Sequence, residues 1–161
     1  MWAGKDNGKD VNWKNAVKYC RALRLAGYSD WRLGTLGELE GIYDKNANAP
    51  GLMGPSGKGT ASTWHVKGNL FLTGDQWSST QLGDDRGHPS GYAPRFDFNE
   101  GRVFNGDEIT FYTNKRALCV RVPENNRVPS RSKCRTRSRH SALKDCRVLL
   151  PRGSSRKTGL R

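Results

Sequence analysis

A chain of 161 residues, 34% of them hydrophobic and 19 of them glycine, allows one domain of ordinary size plus extra segments and leaves loops a large share. Its net charge of +13 suggests a nucleic-acid partner until it is divided. Residues 1–123 carry 16 Lys and Arg against 13 Asp and Glu, a net of +3, whereas residues 124–161 carry 12 against 2, a net of +10. No apolar run approaches the ~20 residues of a membrane span, and Met1 to Asp6 lacks the apolar stretch of a signal peptide.

In chain order, Lys5 to Asp10 reads as a polar turn. Asn12 is placed to cap a first helix, in which Trp13, Ala16, Val17, Cys20 and Leu23 share one apolar stripe while Lys14, Lys18 and Arg21 face water. Gly27 is expected to end that helix as its left-handed cap. Trp31 and Leu33 alternate with Asp30 and Arg32, the pattern of a short half-buried strand. Thr35 and Glu38 form a T-x-x-E capping box that opens a second helix carrying Leu36, Leu39, Ile42 and Tyr43.

Asn46 to Thr60 is rich in Gly, Pro, Asn and Ala and reads as a long surface loop. Its Gly54-Pro-Ser-Gly-Lys-Gly-Thr60 imitates a phosphate-binding loop, but Lys58 is followed by Gly59 and residue 52 is leucine, so the spacing is wrong. Short strands are expected at Trp64 to Val66, at Phe71 to Leu72, and at Gln76 to Thr80 with Trp77 inward. Gly83 to Pro94 is a polar loop. Phe96, Phe98 and Val103 flank Asn99-Glu-Gly101, a hairpin signal. Ile109 to Tyr112 and Ala117 to Val122 are expected to close the sheet. Trp13, Trp31 and Trp77 are taken as core anchors.

Beyond Pro123 the chain turns Arg/Ser-rich, with no Trp, Tyr or Phe and no periodic apolar face. Such a segment cannot bury enough apolar surface to offset its ordering entropy, so residues 124–161 are expected to be a disordered basic tail. Translation past a frameshift or a misplaced gene end is the simpler account of it. A basic arm for nucleic acid or an anionic surface is the functional one.

Four segments in order carry a family resemblance: G-Y-S-D-W-R-L from Gly27 followed by the T-x-x-E-L helix, W-x-x-A-x-x-Y-C from Trp13 to Cys20, W-S-S-T from Trp77, and R-A-L-C-V-R from Arg116 to Arg121. Together they resemble the Lcl C-terminal domain family, named after a bacterial collagen-like adhesin, over about residues 2–122. Gly34 stands where family members usually have proline, which suggests a looser strand-to-helix turn. The resemblance implies an α+β, C-type-lectin-like fold, with two helices packed on a twisted antiparallel sheet with long loops. It also implies a surface or exported setting. Family domains often begin with a short G-L-M-W strand, so Met1 is read as an internal methionine of an amino-truncated fragment, although taken at face value the missing signal peptide means cytoplasm. Residues 1–123 form the domain.

In lectin-like folds the first helix and the last strand are commonly joined by a disulfide, and Cys20 and Cys119 resemble that pair. Two buried thiols in a reducing compartment are the alternative. Cys134, His140 and Cys146 supply only three zinc ligands at unusual spacing and are discounted. His65, His88 and His140 have no recognisable catalytic context, so no enzyme and no cofactor is expected. Calcium-dependent sugar binding would want E-P-N-like and W-N-D-like pairs; Pro123-Glu124-Asn125 is out of order and W-N-D is missing. What remains is a binding module. Lys58, Lys67, Arg86, His88, Tyr92 and Arg95 are the candidate ligand-binding residues, because loop cations beside an aromatic suit sulfated or carboxylated polysaccharides. Nucleic acid is expected only through the tail. The charges can equally be ordinary surface charges balanced by Asp75, Asp84 and Asp85.

If the tail is dispensable, a chain ending at Pro123 unfolds cooperatively with a midpoint close to that of the full chain. Calorimetry of the two lengths checks this, and a large drop on truncation contradicts it.

Overall fold

The computed structural model describes residues 1–54 and 59–122. Lys58, Cys134, His140, Cys146 and the whole of 124–161 lie outside the described residues. The architecture is mixed α+β, with two short helices and several small sheets.

Helix α1 spans Trp13–Ala22, and the Asn12 side chain accepts from the Asn15 amide as its N-cap. Ala16 and Cys20 are fully buried, while Trp13, Val17 and Leu23 are half-buried against the same cluster. The helix stops earlier than expected. Leu23 is already extended, and Arg24 Nη1 donates to the Arg21 and Leu23 carbonyls. Gly27 is therefore not the helix cap: Ala26 and Gly27 have φ of 53° and 78° and form the two-residue reverse turn that pairs Leu25 with Tyr28.

Strand β1, Arg32–Leu33, pairs antiparallel with β8, Cys119–Val120. Met1 to Ala3 run beside β8 as well, with Trp2 bridging Val120. Gly34 then makes a close approach rather than a loose turn. A Cβ there would lie 2.9 Å from the Trp2 ring, so the indole fills the space that a side chain would need. The capping box forms as expected at the start of α2, Leu36–Gly41. Leu39 is buried from this short helix, with Leu36, Ile42 and Tyr43 packed around it.

The segment expected as a loop contains a strand, and a second one begins at its end. β2, Ala49–Met53, pairs through its whole length with β3, Thr60–Trp64. The Gly and Pro content hid this hairpin, but Gly51 is required by it. A Cβ on Gly51 would come within 2.5 Å of the buried Trp64 ring and nearer still to the Leu72 carbonyl.

The main sheet has the order β6-β5-β4-β7. β4 is Asp75–Trp77, β5 is Tyr92–Asp97, β6 is Arg102–Glu108 and β7 is Lys115–Arg116. The hairpin at Asn99–Gly101 is present, with Phe96 facing Val103. Two expectations fail. Ile109 to Tyr112 is a turn, not a closing strand, and leaves Phe111 and Tyr112 exposed. The sheet is also not wholly antiparallel, because β7 joins β4 in parallel.

Two apolar clusters result. One surrounds Cys20, Cys119, Trp31 and Trp77, and the other Trp64, Leu39, Leu72, Phe96 and Phe98. Trp77 is fully buried, Trp31 nearly so, and Trp13 only half-buried with its Nε1 donating to the Ser78 carbonyl at 2.7 Å. Cys20 and Cys119 are joined in a disulfide with Cα atoms 5.4 Å apart, tying α1 to β8 across 99 positions of sequence.

Two measurements follow. In the chain-entropy account a loop of about 100 residues gives ~4.7 kcal/mol, so Cys119→Ser should cost about 2–5 kcal/mol in denaturant unfolding. Free thiols at both positions in an oxidised, folded sample would contradict the bridge. The second concerns acid. Arg32 bonds both Glu38 oxygens and, with Thr35, holds this carboxyl down to about 2 from its ordinary 4.5, burial opposing them. A depressed folded pKa contributes stability above pH 4.5 that is lost as pH falls towards 2. Glu38→Gln should flatten the fall of the thermal midpoint across that window, and an unchanged slope would count against it.

Candidate functional site

The segment from Lys5 to Asn12 is threaded between two parts of the fold. On one side Lys5 bridges Phe71, and Asp6 accepts from the Thr73 amide at 2.7 Å, the Thr73 hydroxyl at 2.8 Å and Gln76 Nε2 at 2.9 Å. On the other, the Asn7 and Val11 amides donate to the Ala117 and Lys115 carbonyls. Arg116, fully buried, closes the arrangement. Its Nη1 donates to Asp10, its Nε to the Thr73 hydroxyl at 2.8 Å and its Nη2 to the Gly54 carbonyl at 2.7 Å. A buried guanidinium without such partners would carry a large desolvation cost.

This anchored segment faces α1 across a groove of about 580 Å³, within the usual range for ligand sites. Asn7 and Asn12 line it together with Asn15, Lys18 and Tyr19 of α1 and with Tyr112. Lys9 and Asp10 also line it, but Asp10 is committed to Arg116 and to the Asn114 amide. Burial, with the nearby Asp6 charge, raises the Tyr19 pKa. Tyr19 and Tyr112 present 37% and 59% of their surface.

The exposed face of α1 continues the positive charge. Lys14, Lys18 and Arg21 recur at i, i+4 and i+7, and no Asp or Glu occurs anywhere in residues 11–29. Like charges at this spacing are mutually destabilising by ~0.2–0.5 kcal/mol per pair, a cost that an anionic ligand relieves. The signal was legible in the sequence as an exposed helix face. What could not be read was that the turn at 109–112 carries an aromatic ring to the same place.

The six residues singled out from the sequence do not make one site. Lys58 lies outside the described residues. Lys67 donates from Nζ to the Gly41 carbonyl at 3.0 Å, at the end of α2. Arg86 and His88 share a turn organised by Asp84, which accepts from both backbone amides and faces His88 Nδ1 at 3.4 Å. Those amide bonds, the His88 one foremost, lower the Asp84 pKa. Tyr92 opens β5 rather than lying in the loop before it.

Arg95 is a correction. It was expected as a loop cation free for a ligand, but it sits within β5, bonded to Asp75 at 2.6 Å and to Asp107, with its guanidinium stacked 3.8 Å from the Phe104 ring centroid. Lys115 joins the same carboxylates at 3.7 and 3.6 Å with 5% of its side chain exposed. Burial, foremost, lowers the Lys115 pKa and raises that of Asp75. This cluster binds β4, β5, β6 and β7 together. Among the described residues no three His, Cys, Asp or Glu side chains are placed to hold a metal ion.

Residues 1–121 match the family model of the Lcl C-terminal domain. No curated protein and no solved structure matches the chain.

Proposed function

Because the chain belongs to the Lcl C-terminal domain family, we propose that it is a non-enzymatic, adhesin-like binding module of a bacterial surface whose ligand is an anionic, sulfated or carboxylated polysaccharide. The family and the Cys20–Cys119 disulfide are consistent with an extracellular setting. On this reading the domain is lectin-like, with the ligand held on α1 rather than on the loops at 67 and 83–92. One observation carries it: a helix whose exposed side chains include three cations and no acid borders a groove lined by Asn7, Asn12 and Asn15 and by the exposed Tyr19 and Tyr112.

The parts divide the work by chemistry. Lys14, Lys18 and Arg21 meet sulfate or carboxylate oxygens, and Arg21 can do so bidentately. Asn12, Asn15 and the Tyr19 hydroxyl exchange hydrogen bonds with sugar hydroxyls. Tyr112 offers an apolar face to the ring carbons. The exposed lysines act in high dielectric, so the attraction is screened by salt and weakens as ionic strength rises.

Retention on dextran sulfate and on neutral dextran tests this. The domain should bind the first and pass the second, with affinity falling steeply as salt is raised. The Lys14→Gln, Lys18→Gln pair should weaken binding about tenfold, the effect of losing roughly 1.5 kcal/mol of charged hydrogen bonding. Lys67→Gln and Arg86→Gln should leave it unchanged. Loss of binding in the latter pair would move the site to those loops, and equal retention on neutral dextran would end the anionic reading.

A further inference from the structure

Beside the groove lies a second cavity of about 390 Å³, and its character is different. Ala3, Leu23, Leu25 and Phe71 give it apolar walls, and among the described residues Lys5 is the one charged side chain that lines it. The apolar groups are poorly covered: Leu25 is 41% and Phe71 38% exposed. They are also held in place. Phe71 is pinned by its amide donating to the Gly4 carbonyl at 3.0 Å and by its bridge to Lys5. Leu25 is fixed by the reverse turn that pairs it with Tyr28, and Leu23 packs on the disulfide cluster.

Tyr19 lines this cavity as well as the groove. Tyr19 is thus common to two linings of different character, one with Asn12, Asn15 and Lys18, the other with Leu23, Leu25 and Phe71. We infer that the apolar cavity is a subsite for an alkyl or acyl substituent carried by the anionic glycan in the groove. This rests on the glycan reading and narrows it to a class: an amphiphilic sugar with acidic groups on one residue and an apolar chain on its neighbour. Three observations choose that occupant over an unrelated apolar partner. The two cavities share a lining side chain, Tyr19. The cavity is concave and of ligand size, not a flat patch. Its only charge is a cation, complementary to an acidic sugar bearing the chain. Whether the substituent belongs to a free polysaccharide or to a membrane glycolipid, the chemistry recognised is the same.

The test compares three probes by isothermal titration calorimetry on the oxidised protein: a sulfated tetrasaccharide as its methyl glycoside, the same sugar as its octyl glycoside, and neutral octyl glucoside below its micelle concentration. Burial of apolar carbon gives roughly fourfold in affinity per methylene, so the octyl glycoside should bind at least about tenfold tighter than the methyl one, with a more negative heat-capacity change. Leu25→Ser, at an exposed turn position, should erase that gain and leave the methyl glycoside's affinity unchanged. Phe71→Ser should do the same. Should the Phe71 variant fail to unfold cooperatively, Leu25→Ser decides, together with cross-relaxation between octyl protons and the Phe71 ring in the native protein. Equal affinity for the two sulfated glycosides, with binding still dependent on Lys14 and Lys18, overturns the subsite and spares the glycan reading. Neutral octyl glucoside binding as tightly as the sulfated octyl probe, with no binding of the methyl glycoside, overturns both. If liposomes bearing the octyl sulfated sugar compete with the soluble probe in proportion to accessible sugar, a glycolipid source fits equally. Competition by bare liposomes would contradict the subsite.

Discussion

The Arg116 guanidinium has no contact with solvent, and much of the fold is arranged so that it can be there. A buried charge is tolerated only when paired and hydrogen-bonded. Asp10, Thr73 and the Gly54 carbonyl meet that demand, and Asp6 in turn holds Thr73 and Gln76. Four separate stretches of chain are thereby drawn to one point. The neighbouring residue on the same short strand, Lys115, is also buried and is met by Asp75 and Asp107. Successive strand residues point to opposite faces, so β7 fixes a polar cluster on each side of the sheet. Removing one partner from such a set typically costs about 3–5 kcal/mol, because the remaining charge stays buried without compensation. The groove inherits its rigidity from this arrangement, since the segment carrying Asn7, Asp10 and Asn12 is the one that Arg116 secures.

The disulfide does for the other wall what Arg116 does for the first. Cys20 lies on the buried stripe of α1, and its partner Cys119 lies in β8. The polar face of the same helix carries Lys14, Lys18 and Tyr19, so these exposed side chains are mounted on a helix cross-linked to the core. A preformed site loses less entropy on binding than one that must be ordered first. The three exposed cations Lys14, Lys18 and Arg21 repel one another across this face.

Local signals were the most readable part of the sequence. The Thr35–Glu38 capping box, the Asn12 cap and the hairpin around Asn99–Gly101 each depend on residues a few positions apart, and each formed. The disulfide was implied by the family resemblance and not by the residues themselves. The hairpin of β2 and β3 was missed because Ala49-Pro-Gly-Leu-Met53 has neither alternation nor β-branched residues. Its strand character comes from Gly51 fitting against Trp64 and Leu72, a tertiary fact. Ile109 to Tyr112 erred the other way: an apolar and aromatic run looked like a strand but is an exposed turn at the edge of the groove. Arg95 was read as a loop cation and Arg116 only as part of a motif, since nothing local announces that an arginine will be buried against aspartates 20 and 106 residues away. The same blindness hid the site. Lys18 was visible on an exposed helix face, but Tyr19, Asn7 and Tyr112 join it only through the fold.

The most direct test is a nuclear magnetic resonance titration of the oxidised domain with a sulfated oligosaccharide, following every backbone amide. Binding in the groove predicts that Asn12, Asn15, Lys18, Tyr19 and Tyr112 shift together on one saturating curve, with Lys67 and residues 83–92 unmoved. Shifts confined to 83–92 and Lys67, with α1 silent, would contradict the account.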